Sequence, residues 1–418
     1  MIPLLSGVRI LELGAVVMGP LVGQILADLG ADLIKVEPLA GDDARRAYPS
    51  REGMGALFAN NNRNKRSIAI DLKHPDGQKV LRELISRSDV FLHNMRADAA
   101  ERLGAGFAAA TAVNPKLVYC AATGFGQAGR YRDRPAYDDV VQAAGGMAGL
   151  MQLAGGDAPR FAPTILADKV GALHAVYGIL AALFARERGH TTPIQVEVPM
   201  FESLAAFLLN EHLAEATFET GGKVGYPRVL SPDRRPHRTA DGWITVLPYT
   251  TEQWRRFLTE IGRSDVTELP WFSRPEQRSV HIDTLYGIAS EALKGRDTET
   301  WIERLTALDI PCSRVAQLQD LLTDPHLQDI GFFAPGDAYP AHLRRVLPQP
   351  VKFGHIAAET DRPPPALGSH TREILAECGL EASKIDEMLQ HNVVHQSSVA
   401  DDRTDQGDNQ FEHIARHA

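Results

Sequence analysis

The amino-acid sequence predicts an α/β fold: a mostly parallel sheet with helices on both faces, followed by a second, smaller unit. Three observations carry that expectation. Short apolar runs alternate with segments of helical period over the first 125 residues, which is the pattern of successive βαβ units. Gly221, Gly222, Pro227, Pro232 and Pro236 crowd the stretch 219–238, marking a linker or loop. The chain has 418 residues, enough for roughly two or three domains at ~150 residues each.

The elements follow in order. VRILEL at 8–13 is a strand candidate. Pro20 can open a helix, and LVGQILADLG keeps apolar residues at helical spacing up to Gly30. DLIKVE at 32–37 and SIAID at 67–71 are strands. The helix expected at 75–88 places Val80, Leu81, Leu84 and Ile85 on one face. Strands follow at 90–92 and 117–122, helices at 136–150 and 168–188, a strand at 193–198 and a helix at 201–216. Beyond the linker come a strand at 243–247 and helices at 251–261, 282–293 and 298–308. The chain turns irregular and proline-rich near 330, then carries one helix at 372–391 and a polar tail at 396–418. The domain expectation is therefore 1–218 large domain, 219–238 linker, 239–329 small domain, 330–395 return to the large domain, and 396–418 tail.

Composition excludes several classes. Hydrophobic residues are 44% and charged residues 23%, as in an ordinary globular protein. The net charge of −9 argues against broad nucleic-acid binding, though a local basic patch can still hold an anion. Cys120, Cys312 and Cys378 stand far apart with no CxxC pair, which excludes a metal finger and suggests a reducing, cytoplasmic setting. The N-terminus lacks the pattern of a signal peptide. The longest apolar run, 175–185, has 11 residues, too short to span a bilayer; no membrane is expected.

Several constellations compete with plainer readings. The first turn, GAVVMGP, precedes a helix start that suits an anion, but it lacks GxGxxG. A literal GxGxxG occurs at Gly124, Gly126 and Gly129. There Pro135 delays the helix, and Asp138 and Asp139 are too near to serve as the distal acid of a dinucleotide site. Arg63, Asn64, Lys65 and Arg66, with Lys73 and His74 beyond, form a basic run; it is a solvated face or a phosphate anchor. Arg228, Arg234, Arg235 and Arg238 form a second. Asp168 opens a long apolar helix, as a cap or as a nucleophile, since carboxylates form covalent acyl intermediates. His391 and His395 are four apart without a third ligand, so no metal is expected. GxSxG and HExxH are absent.

Taken together, LSGVRILELG, MGPLVGQILADLGADLIKVEP and NNRNKRSIAIDLKHPDGQKVLRELISRSDVFLHNMR resemble the opening of class III CoA-transferases. That family (the CaiB/BaiF type) includes formyl-CoA and carnitine-CoA transferases. The similarity continues through GFGQAGRYRDRPAYDDVVQAAGG, LADKVGALHAVYGILAALFARE, RTADGWITV, EQWRRF, IPCSRV and DPHLQDIGFF. It covers roughly residues 4–375. The resemblance implies a Rossmann-like large domain with a parallel sheet, a smaller α+β domain, and an interlocked homodimer. It implies that Asp168 attacks the donor thioester, and that Val16 and Val17 lie in a turn touching CoA. It further implies that Lys73 lies near the nucleotide end, that Asn94, Met95 and Arg102 contact CoA, and that Tyr137 lies beside the aspartate. CoA is then substrate and product, with no tightly bound cofactor, and the partners are an acyl-CoA and a small carboxylic acid. Val17, Pro38 and Met95 stand where formyl-CoA transferase has glutamine, arginine and phenylalanine, and its flexible glycine run after 240 has no counterpart. These differences bear on the acids used rather than on CoA.

The chemistry suits these residue types. A carboxylate exchanges acyl groups through an anhydride and an enzyme–CoA thioester with little net change in bond energy. Backbone N–H groups of the Gly124–Gly129 loop, or of a helix start, could stabilise the oxyanions. An α-methylacyl-CoA racemase is the alternative within the same fold. It needs a histidine base where this chain has Tyr137, and tyrosine, with a pKa near ~10, is a poor substitute. A dehydrogenase and a non-catalytic CoA-binding module are the remaining rivals.

Overall fold

The computed structural model describes residues 1–333, 339–340 and 342–397. From residue 398 on, the expected tail lies outside the described residues. Two compact units emerge. One takes Met1–Val141, Ile165–Leu204 and Phe333–Ala418; the other takes Gln142–Thr164 and Ala205–Phe332. The first thus draws on both chain ends, and the stretch 219–238 lies inside the second.

In the first unit β1 (Arg9–Leu13), β2 (Asp32–Glu37), β3 (Lys65–Ile70), β4 (Val90–His93), β5 (Val118–Thr123) and β6 (Ile194–Pro199) form one sheet. The order is β3-β2-β1-β4-β5-β6, every neighbour parallel. Val394–His395 adds an antiparallel edge beside β3, a short strand that period-2 reasoning could not see. This is the doubly wound order of Rossmann folds, whose direction of winding reverses between β1 and β4.

Alternation along the strands sorts the two faces. Leu11, Ile34, Phe91 and Tyr119 share a core with Val80, Leu81, Leu84 and Ile85 of α2 (Pro75–Ser86), joined by Ile374 and Leu375 of Thr371–Glu377 and Ile385 and Met388 of Ala382–Gln390. Glu12 and Leu33, one residue out of phase, turn instead toward Gly23 of α1 (Met18–Asp28). There α1 packs against the helix Leu166–Glu187, which lies across β5 and β6. With 22 residues and a mean hydropathy of 1.4 that helix is long and apolar enough to cross a bilayer, a property the 11-residue apolar run did not register; here one side of it covers the sheet.

Two expected helices are each broken in two. The stretch 136–150 gives α3 (Asp138–Ala144) and Met147–Leu153, parted by Gly146 at φ +89°. The stretch 372–391 gives Thr371–Glu377 and Ala382–Gln390, parted by Gly379 at φ +84°. Glycine takes this left-handed turn without steric cost, and the helical ladder stops there. The first helix begins at Met18, two residues before Pro20.

The basic run 63–66 is neither a solvated face nor a phosphate anchor. Arg63 pairs with Asp28, Lys65 with Glu12, and Arg66 with Asp32, Glu373 and Glu377. All three cations are buried; they tie β3 to α1, β1, β2 and the returning chain end.

The second unit holds a three-stranded antiparallel sheet of His237–Arg238, Trp243–Val246 and Cys312–Arg314. Its core is built on Trp254, Phe257, Leu285, Trp301 and Leu305. The helix Thr251–Glu260 starts on a Thr250–Gln253 capping box.

Candidate active site

A cleft of about 300 Å³ opens at the carboxyl ends of the central strands, where an α/β sheet reverses its winding and ligands characteristically bind. Ala15–Met18 follow β1, Asn94–Arg96 follow β4, Thr123–Phe125 end and follow β5, and Met200 follows β6; Tyr137 and Asp168 complete the wall with Arg132 and Arg134. Val16, Val17, Asn94, Met95, Tyr137 and Asp168 are thus brought together. Lys73 and Arg102 do not line this cleft; both are exposed, and Arg102 pairs with Asp98 at 2.7 Å.

The first turn is gripped from beneath. The Asn94 amide accepts the Ala15 N–H at 2.9 Å and donates to the Ala15 carbonyl at 2.8 Å. Val16, although β-branched, sits at φ +66°, a conformation that costs about 1–3 kcal/mol and persists only where surroundings enforce it. Its N–H donates to Asp42 at 3.1 Å. Asp42 pairs with Lys35 at 3.0 Å. Lys35 donates to Glu12 at 3.0 Å and to the Gly14 carbonyl at 2.8 Å. Lys65 donates to the other Glu12 oxygen at 2.7 Å, and to Pro20 O and Asn62 at 2.8 Å. Lys35, Lys65, Glu12 and Asp42 are all buried, two cations against two anions. Burial pulls the Lys65 ammonium down to about 8 against the attraction of Glu12. Burial acts on Lys35 too, but Glu12 and Asp42 outweigh it and hold Lys35 above its ordinary range. Asp42 is lowered: Lys35 and the N–H groups of Ala44 and Val16 overcome the burial that would raise it.

Asp168 is the third residue of α4 (Leu166–Glu187), in its first turn rather than at its cap position, which Ile165 occupies. Its N–H donates to Asp138 at 3.1 Å. Burial, and then the negative charge of Asp138, push the Asp168 carboxyl up to about 6. The positive end of α4 pulls the other way. With that value the group is about nine-tenths ionised at pH 7, and as a more basic carboxylate it is a better nucleophile than an ordinary one.

The glycine loop serves another purpose than the sequence suggested. Gly126 N–H donates to Glu202 at 3.0 Å, and Gln127 N–H to Glu197 at 2.6 Å, so these donors are occupied. Among the described residues none accepts the N–H of Val17 or Met18 at the start of α1. Among the described residues no histidine lines the cleft. His93, just behind it, is buried, bonded to the Tyr119 hydroxyl at 2.8 Å, and driven by burial down to about 4; it is a neutral core residue and no racemase base. Among the described residues no group of His, Cys, Asp and Glu could hold a metal. Sequence reasoning passed over Arg96, Arg132 and Arg134 in the cleft and Asp42 behind it, and weighed Asp138 only as the distal acid of a dinucleotide site. Arg134 and Asp138 stand within RPAYDD, the stretch that supplied Tyr137.

Comparisons with known proteins agree with this geometry. The profile of CoA-transferase family III matches residues 5–371, and the chain belongs to that family. It is 31% identical over 396 residues to the succinate–glutarate CoA-transferase of Agrobacterium fabrum, covering 90% of this chain and 96% of that one. It is 27% identical to the formyl-CoA:oxalate CoA-transferase of Escherichia coli O157:H7, covering 93% and 99%. Among solved structures, Rv3272 of Mycobacterium tuberculosis superposes with a TM-score of 0.77 at 28% identity, over 90% and 99% of the two chains. A CaiB/BaiF family protein from Brucella suis gives 0.75 at 27% identity, over 90% and 100%. The enzyme is accordingly an acyl-CoA:carboxylate CoA-transferase.

Proposed function

We propose that Asp168 carries the acyl group and then CoA. Its carboxylate attacks the donor thioester carbonyl; the C–S bond breaks, CoA leaves as thiolate, and an acyl-aspartyl anhydride remains. The thiolate attacks the aspartyl carbonyl, releasing the donor acid and leaving CoA as a thioester on Asp168. The acceptor carboxylate displaces that thiolate to form a second anhydride. The thiolate then attacks the acceptor's acyl carbon, giving the new acyl-CoA and the free Asp168 carboxylate. No proton needs to be moved by a side chain and CoA is the sole cofactor used. The first-turn N–H groups of α1, carried by residues that line the cleft, serve as donors for the tetrahedral oxyanions.

The observation that carries this reading is a half-buried carboxylate, raised to about 6, in a cleft at the β1/β4 reversal. Val16, Val17, Asn94, Met95 and Tyr137 meet the pantetheine end of CoA, while Lys73 and Arg102 are left to its distal nucleotide end. Relatives named for succinate, glutarate and L-malate and three arginines lining an otherwise acidic protein's cleft support short dicarboxylic acids as substrates. The enzyme works in the cytoplasm as a homodimer. Leu173, Tyr177 and Phe184, exposed by 59%, 60% and 66% along one side of α4, are the apolar face that a second copy would cover.

The test is chemical trapping. Incubation with succinyl-CoA and hydroxylamine, followed by peptide mass spectrometry, should place a hydroxamate on Asp168. A hydroxamate elsewhere, or full turnover by Asp168→Asn, refutes the assignment.

A further inference from the structure

The sequence made Val16 a contact; the structure makes it a spring held shut. A β-branched residue resists φ +66°, yet its conformation sets where Val17 and Met18 begin α1, and hence where their N–H groups point. The turn is fixed at five backbone atoms by side chains around it. Asn94 holds both polar atoms of Ala15, Asp42 takes the Val16 N–H, Lys35 takes Gly14 O and Lys65 takes Pro20 O. Among the described residues only Asp42 bonds the strained residue itself. Asp42 is buried, stands on Lys35, and contributes no atom to the cleft lining.

We propose that Asp42, backed by Lys35, is a positioning residue that holds Val16 in the left-handed conformation and so aims the first-turn N–H groups of α1 at the reacting carbonyl. The proposal deepens the reading of this cleft as the CoA-transfer site. It has a specific signature: a glycine at 16 adopts positive φ freely, so it should replace the hold that Asp42 supplies.

The experiment uses the full chain and four proteins: parent, Asp42→Asn, Val16→Gly and the double variant. Amide hydrogen exchange over residues 14–20 is read by mass spectrometry, and kcat is measured with a succinyl-CoA donor. Asn keeps an acceptor but loses the charge that anchors it to Lys35. Asp42→Asn is expected to speed exchange in 14–20 while leaving 118–123 unchanged. Misaimed oxyanion donors should lower kcat about tenfold or more, with a smaller change in KM. Val16→Gly in the Asp42→Asn background should recover at least about fivefold of that loss. A residue important only for folding would lower the folded fraction and leave kcat per folded enzyme unchanged, so kcat is taken per folded protein. Should Asp42→Asn fail to accumulate folded, Asp42→Glu, which displaces the same charge by one methylene, carries the same comparison. Unchanged exchange in 14–20 overturns the proposal whatever the activity; so does a kcat that does not fall, or a loss that glycine does not recover. If the parent transfers no CoA at all, the catalytic reading has failed, and the exchange arm still decides whether Asp42 holds the turn.

Discussion

Neutralising Asp138 should move the acid limb of catalysis. Asp168 must be ionised to attack, so activity falls tenfold per pH unit below its pKa, which burial and Asp138 place at about 6. That is roughly two units above an ordinary aspartate, with burial the larger of the two causes. Asp138 supplies the smaller part of that rise. Asp138→Asn removes the charge and keeps a carbonyl to accept the Asp168 N–H, now 3.1 Å away. The acid limb of kcat/KM, measured from pH 4.5 to 8, is expected to shift to lower pH with the plateau retained within a few-fold. At pH 5 about one-tenth of Asp168 is ionised with its value at about 6, and activity relative to the plateau should rise severalfold once Asp138 is neutralised. An unmoved limb, or one that moves up, would refute the account of Asp168.

Other outcomes follow from the same structure. Because the folded-state pKa of Asp168 is raised, its ionisation opposes folding at neutral pH, and that penalty disappears as pH falls from 6 to below 4. Asp168→Asn should therefore abolish transfer yet stabilise the fold by about 2 kcal/mol at pH 7 and not at pH 4, read by urea unfolding. Lys35→Met leaves Glu12 and Asp42 buried with one cation between them; it should cost about 3–5 kcal/mol in the same assay. Gly23→Ala, which in most helices would add stability, puts a methyl 1.9 Å from a Glu12 oxygen and should destabilise, with a Tm several degrees below the parent. Leu173→Glu with Tyr177→Glu should shift sedimentation from dimer to monomer; an unchanged sedimentation coefficient would remove α4 from the interface.

The alternation of VRILEL, DLIKVE and their neighbours made the α/β class legible, because β1 to β5 are largely buried on both faces and short enough to end at a turn residue. Asp168 was legible as a chemical candidate from its place at the head of an apolar helix, and the family resemblance supplied its role. What one dimension hides is strand order. Residues 14–18 and 94–96 meet only because β4 lies beside β1, and no local pattern encodes that adjacency. The run at 63–66 misled for a related reason. Its charges have partners at Glu12, Asp28, Asp32, Glu373 and Glu377, distant in sequence, so a buried network looked like a solvated patch. Val16 gave no sign of positive φ, since the force that imposes it comes from Asp42, 26 residues on.

The sheet edge beside β3 is supplied by Val394–His395, and Arg66 waits for Glu373 and Glu377. A ribosome has therefore delivered nearly the whole polypeptide before the early strands acquire their final neighbour. Until then β3 offers an open hydrogen-bonding edge to any passing strand, so nascent chains stalled before residue 394 should be the species that chaperones hold and proteases clear.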